Sequence, residues 1–286
     1  IFSVNVQKLY EFAKQVLNER EATVLNQENS ILWQDLVKIS SSPGGKRPKA
    51  IVALNKGTGE VISGQGIIPE GFQHYILKYD DNSAYPYAKL EYVYYRMALD
   101  AGIEMMPSEL RTYDGVTHFL TQRFDREGNE KIHTQTLAAM LPTSDSYEDI
   151  FSVIRRLNLP YEDSRQHFLR MVFNVTTRNV DDHSKNFSFC MNKKGIWRLS
   201  PAYDLTYSVD LTAPAYSNRH SLTINGKNED ITREDLGTVG QNNDIQDYNA
   251  LIDTVYNAVA KFESHARELR IDEKLIKSIQ EDFIKV

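Results

Sequence analysis

The stretch from Phe187 to Asp204 constrains this chain more than any other. Two short apolar runs, Phe187-Ser188-Phe189-Cys190 and Ile196-Trp197-Arg198-Leu199, flank the turn signal Asn192-Lys193-Lys194-Gly195, a pattern that predicts a β-hairpin. An antiparallel hairpin returns its two ends to one place. Asn186 enters it and Ser200-Pro201-Ala202-Tyr203-Asp204 leaves it, so Asn186 and Asp204 are expected together. Just upstream lies the densest polar stretch of the chain, Asn179-Val180-Asp181-Asp182-His183-Ser184-Lys185-Asn186, which follows an apolar helical pattern at Phe168, Met171, Val172 and Val175.

An ordinary solvated connection is the first reading of such a polar cluster. Two details favour chemistry instead. Asp181 and Asn186 are five positions apart, the separation at which a kinase catalytic loop places its base and a magnesium-binding Asn. Two oxygen ligands, Asn186 and Asp204, converging beside a free carboxylate suit Mg²⁺, a hard cation that keeps water and phosphate in its remaining positions. Phosphoryl transfer also requires cations on the phosphates, because its transition state spreads negative charge over oxygen. Lys78 ends the apolar run Tyr75-Ile76-Leu77, and Glu91 on the following helix is placed to orient its ammonium. Alone, Lys78 reads as a surface strand lysine; the downstream loop turns the reading toward a phosphate contact.

Other segments carry weaker signals. Ser40-Ser41-Ser42-Pro43-Gly44-Gly45-Lys46-Arg47-Pro48-Lys49 is a turn-rich loop whose backbone N–H groups at Gly44 and Gly45 suit a phosphate cradle. It is not a Walker loop, since G-x-x-x-x-G-K-[ST] is absent. Serines facing a γ-phosphate are themselves exposed to phosphorylation. Gln122-Arg123-Phe124, at the exit of a strand, is positioned as a hinge meeting an adenine edge. His183 has no second His or Cys at zinc spacing, which favours a loop-ordering hydrogen bond. Cys190 reads as a small buried side chain. No G-x-S-x-G nucleophile elbow occurs.

Periodicity organises the rest. An amphipathic helix is expected over Val6, Leu9, Tyr10, Ala13, Val16 and Leu17, then strands at Ala50–Leu54, Val61–Ile62, His74–Tyr79 and Thr117–Phe124. After Pro86 the pattern turns helical through Leu90, Val93, Tyr94, Met97 and Ala98, ending near Gly102. Leu251, Val255, Val259 and Phe262 mark a late core helix. The expected class is α+β: a two-lobed, protein-kinase-like fold with a β-rich N-terminal lobe over residues 1–125 and a mainly helical C-terminal lobe over 126–286. The 286 residues hold 33 basic and 39 acidic side chains, a formal net charge of −6, so no electrostatic case exists for direct nucleic-acid binding. A single cysteine points to a reducing cytoplasm rather than a disulfide scaffold. No apolar run is long enough to span a membrane. The opening Ile1-Phe2-Ser3, without an initiator Met, reads as a trimmed or incomplete start rather than a signal peptide.

With these motifs in hand, the chain from about Ser40 onward resembles the HipA family of bacterial serine/threonine kinase toxins. The carriers are the Ser-rich loop, Ile76-Leu77-Lys78, Leu90-Glu91-Tyr92, Gln122-Arg123-Phe124-Asp125-Arg126, the D-x-H-x-K-N element Asp181–Asn186, and Pro201-Ala202-Tyr203-Asp204. The resemblance implies that Asp181 is the catalytic base, served by Lys78 and Lys185, with Asn186 and Asp204 on Mg²⁺. ATP would be held by Ser42, Gly44, Gly45, Lys49, Lys78, Glu91 and His183, with Gln122 and Phe124 framing the adenine. It also implies a kinase fold, autophosphorylation, a growth-restricting role, a DNA-binding HipB-like antitoxin, and a protein substrate such as an aminoacyl-tRNA synthetase. The loop departs from the family's A-G-A-Q-x-K; matching Lys49 to its last lysine puts autophosphorylation at Ser42, with Ser40 as the alternative. A dianion there would be repelled by ATP phosphates and would switch the enzyme off. Only about 40 residues precede the loop where members often carry a further small domain, so a short form is expected, lacking most of that subdomain and partnered by a separate small protein resembling it. A pseudokinase-like nucleotide-binding module acting through an antitoxin or repressor is the rival from another class, and a small-molecule or lipid kinase a third reading.

Overall fold

The computed structural model describes residues 49–80, 85–113, 115–210 and 218–285. The expected opening helix and the loop of Ser40, Ser42, Gly44 and Gly45 lie outside these residues. The chain divides into two compact units, one up to Tyr92 together with Pro107–Lys131, the other Val93–Met106 with Ile132 onward. The division therefore passes through a helix, where the sequence pattern suggested a single cut after residue 125.

The first unit is built on a five-stranded antiparallel sheet of order β2-β1-β3-β5-β4. Its strands are β1 (Lys49–Asn55), β2 (Val61–Ser63), β3 (Phe72–Lys78), β4 (Ser108–Tyr113) and β5 (Val116–Gln122), and a short antiparallel pair, β6 (Arg126–Glu127) and β7 (Glu130–Lys131), follows in the same unit. The continuous apolar run of β1, rather than an alternating one, fits its place inside the sheet, and Val52 and Leu54 are fully buried with Tyr75, Leu77 and Leu120. The β1–β2 connection closes through Asn55, whose side chain accepts from the backbone N–H of Gly57 and Thr58, the local chemistry that makes Asn a turn residue. Gly64 has a different role: a Cβ there would lie 2.5 Å from the Val52 carbonyl oxygen, so only glycine fits.

β4 is one of the strands that periodicity missed, with His133–Thr136 another. β4 lies at the sheet edge and most of its side chains are half-buried, so it carries little alternation to read. Helix α1 (Tyr87–Asp100) starts after Pro86, which is suited to a helix entry, and its Ala88 N–H donates to Asp80 Oδ2 at 2.9 Å. It ends at Gly102 (φ +76°), where Ile103 N–H donates back to the Ala98 carbonyl, a glycine-capped stop.

The second unit holds β8 (His133–Thr136), β9 (Ser188–Met191) and β10 (Trp197–Leu199) in a sheet of order β10-β9-β8. The expected hairpin forms, with Leu199 opposite Phe189 and Trp197 opposite Met191. Between β8 and β9 come α2 (Leu137–Met140), α3 (Tyr147–Arg156) and α4 (Tyr161–Thr176). In α4 nearly every residue from Gln166 to Thr176 is buried, which makes it the central helix of the unit. Helices α5 (Arg233–Asn242), α6 (Tyr248–Val259), α7 (Phe262–Glu268) and α8 (Glu273–Asp282) complete it. Phe262 thus opens its own helix instead of continuing that of Leu251; the apolar spacing runs on because Val259 and Phe262 are both buried across the break. Cys190 is half-buried, its sulfur 3.5 Å from Thr134 Oγ1, because it points to the opposite face of β9 from the fully buried Phe189. Among the described residues no helix is long and apolar enough to cross a membrane.

Candidate active site

In the first unit, Lys78 at the end of β3 forms an ion pair with Glu91 on α1. The sheet register explains more than the pair. Lys49, the first residue of β1, stands directly opposite Lys78, so two lysines share one cross-strand position, where like charges repel. Glu91 forms an ion pair with Lys78 at that position. Phe119, opposite Lys78 on β5, lies under its ammonium at 5.8 Å from the ring centroid, a cation–π contact.

Gln122 pairs with Tyr75 at the end of β5, and its N–H donates to the Pro107 carbonyl. The following residues form a charged knot that motif reading did not anticipate: Asp125 accepts two bonds from Arg123, at 2.8 and 2.7 Å, and one from Arg126 at 2.8 Å. Burial pushes the Asp125 carboxyl up, but the two guanidinium groups outweigh it and hold it below its ordinary value. Phe124 is half-buried.

The second unit assembles the polar loop. Thr177, Arg178 and Asn179 close α4, with Arg178 in the left-handed region (φ 58°), and the chain emerges at Asp181. That side chain is 69% exposed. Ser184–Asn186 form a single 3₁₀ turn in which Asn186 N–H donates to the His183 carbonyl at 2.8 Å. The Asn186 side chain then donates through Nδ2 to the Asp181 carbonyl at 2.8 Å. Because a carbonyl oxygen only accepts, this bond fixes the amide orientation and leaves Oδ1 as the end with lone pairs to offer.

Asp204 and Asn186 line one concavity, together with Asn174, Asn179, Asp182 and Tyr203. The hairpin brings them there, and Tyr203 fastens its ends: its hydroxyl lies 2.6 Å from Ser188 Oγ and donates to the Lys185 carbonyl at 2.8 Å. Asp204 has φ +59°, a left-handed conformation that Asp tolerates better than most residues and that gathers at functional sites. Asn186 Oδ1 and the Asp204 carboxylate are hard oxygen donors, a set that fits Mg²⁺ and would not hold a soft metal. His183 Nε2 stands 3.8 Å from Asp181 Oδ1, beyond hydrogen-bond range, so it is the carbonyl of His183 and not the ring that orders the loop. Lys185 is exposed.

Motif reading missed Asp182, the neighbour of the exposed Asp181. It is buried and accepts bonds of 2.7 Å from Tyr147 Oη, His220 Nδ1 and Ser221 N–H. Its partners lie 35 to 39 residues away, so no local pattern could announce them.

A β-sheet unit with a lysine–glutamate pair and a helical unit with an Asp, Asn and Asp constellation define the protein-kinase-like class. The chain belongs to the HipA-like C-terminal domain family, which matches residues 41–283. It is 28% identical over 130 residues to the Sinorhizobium fredii protein named "Putative kinase Y4mE", a match covering 40% of this chain and 31% of that relative. The chain thus spans about a third of that relative's length. Its fold is similar to HipA of Shewanella oneidensis, solved with HipB and operator DNA: TM-score 0.64 at 18% identity, over 94% of this chain and 68% of that one.

Proposed function

We propose that this chain is an ATP- and Mg²⁺-dependent protein serine/threonine kinase that acts as the toxin of a toxin–antitoxin pair in the cytoplasm. The carrying observation is the bond from Asn186 Nδ2 to the Asp181 carbonyl, in a loop whose Asn186 shares a concavity with Asp204. Asp181 accepts the proton of the attacking hydroxyl as the new O–P bond forms and the bond from the γ-phosphorus to the bridging oxygen breaks, that oxygen leaving with ADP. Its exposure puts it within reach of an acceptor. Asn186 Oδ1 and the Asp204 carboxylate hold Mg²⁺, which when bound neutralises phosphate charge. Lys78, oriented by Glu91, and Lys49 in register with it supply fixed positive charge to the phosphates. Lys185 joins the catalytic set, while Gln122 and Phe124 frame the adenine and His183 borders the nucleotide.

The resemblance to HipA supports three further parts of the reading: a HipB-like antitoxin partner, a translation-related substrate such as an aminoacyl-tRNA synthetase, and autophosphorylation at Ser42 or Ser40. Incubation with γ-labelled ATP and Mg²⁺, beside Asp181→Asn and followed by peptide mass spectrometry over residues 40–42, tests it. Label on these serines that vanishes in the variant is the expected result. Bound nucleotide without label, in protein whose intact mass shows no prior phosphate, overturns the kinase reading in favour of a nucleotide-binding module.

A further inference from the structure

Asp181 and Asp182 are adjacent and have opposite fates, one exposed and one with a side chain 0% exposed. A single directed series of hydrogen bonds joins them within the second unit, running from an exposed bond at Asp181 to a buried one at Asp182. Asp181 N–H donates to Ser208 Oγ at 3.0 Å, and Ser208 Oγ–H donates to Asn179 Oδ1 at 3.3 Å. Asn179 Nδ2 donates to Asn174 Oδ1 at 3.0 Å, and Asn174 Nδ2 donates to Tyr147 Oη at 2.9 Å. The phenol hydrogen, with its oxygen already accepting, points at Asp182 Oδ2, 2.7 Å away.

Every member donates to the next in one direction, so the last must accept without donating. The Asp182 carboxyl group does this with both of its oxygens, whereas an amide has only one oxygen to accept with. Such head-to-tail series polarise one another in a low-dielectric interior and lock into one arrangement. Asp182 also holds His220 and Ser221: His220 Nδ1 and Ser221 N–H bond its two oxygens, and Ser221 Oγ donates to the Val180 carbonyl at 3.1 Å. Ser208 and Ser221 together therefore bond to each of residues 179–182.

We infer that Asp182 is the positioning residue of the site, terminating a directed hydrogen-bond series that sets the backbone of Asp181 and ties it to Ser208 and Ser221. The inference rests on the reading of Asp181 as the base. Tyr147→Phe removes the hydroxyl that donates to Asp182 while leaving His220 and Ser221 on it; Asp182→Asn replaces one of its two accepting oxygens by a donor, so the two oxygens can no longer both accept.

In both variants kcat for transfer of labelled phosphate, per molecule of folded protein counted by nucleotide-binding stoichiometry, is expected to fall at least tenfold. KM for ATP stays within twofold. Backbone amide exchange of the peptide spanning Asp181 accelerates at least tenfold. A merely structural role would reduce the folded fraction and leave kcat per folded molecule unchanged, which overturns the proposal. Should Asp182→Asn not fold, Tyr147→Phe decides alone. A wild-type chain without transfer activity would overturn the base assignment, and the exchange measurement would then still judge the series: unchanged exchange in Tyr147→Phe refutes it.

Discussion

The Lys78–Glu91 pair lends itself to a double-mutant cycle. Their side chains are only 15% and 10% exposed, so each ion shields the other from an unsolvated state. At an effective dielectric near 20, unit charges about 4 Å apart attract by roughly 4 kcal/mol. Removing one partner of a buried pair costs about 3–5 kcal/mol, because the survivor is left uncompensated. The residual exposure admits some water, which puts Glu91→Leu and Lys78→Met near the lower end, about 3 kcal/mol each. The cation–π contact with Phe119, at roughly 0.5–1 kcal/mol, survives in Glu91→Leu and does not rescue it. In the double variant Lys78→Met/Glu91→Leu both charges are gone, and apolar replacement of a buried pair is often neutral. Its stability should return to within about 1 kcal/mol of wild type, a coupling of several kcal/mol between the sites. Urea unfolding of the four proteins gives these values, and nucleotide titration of the same samples separates stability from function. The double variant should be stable and still fail to bind ATP. Two single losses that merely add would refute the argument that each charge exists to compensate the other, and a double variant with normal nucleotide affinity would refute the phosphate role of Lys78.

Three further outcomes are expected. Asp204→Asn keeps a residue type that tolerates φ +59°, so thermal unfolding should move by less than about 1 kcal/mol while Mg²⁺-dependent transfer is lost; a large stability loss would contradict this account. Gly240→Ala places a Cβ 2.7 Å from Tyr248 Cβ and 3.0 Å from Phe168 Cε2, an overpacking that should cost about 1–3 kcal/mol by urea unfolding, with none expected only if α5 shifts. Burial holds His167 down to about 3 and His118 down to about 4. Between pH 6.5 and those values the unfolded chain binds protons that the folded chain refuses, so stability should fall as pH falls, on the order of 3 kcal/mol per group. A flat profile from pH 7 to 4, or one that shifts in the opposite direction, would sink that reasoning, and His167→Phe should flatten part of the slope.

Much of the site was legible because its spacing is local. The turn Asn192–Gly195 between two apolar runs dictates the hairpin, and the hairpin dictates that Asn186 and Asp204 meet. The helix after Pro86 with its glycine stop, and the apolar run of β1, were equally readable, since periodicity and turn chemistry act over a few residues. β4 was not, because a half-exposed edge strand has no buried face to imprint alternation.

What the linear order alone determined is therefore a set of short-range facts: which segments are strands or helices, and which oxygens lie at the ends of one hairpin. Only the tertiary structure decided which of two adjacent aspartates turns outward. Asp182 is buried because Tyr147, His220 and Ser221 each bring it a donor, and burying a carboxylate is permitted only where such donors converge. Those donors sit 35 to 39 residues away, on segments that meet solely because α3, α4 and the chain after Asp204 pack around one core.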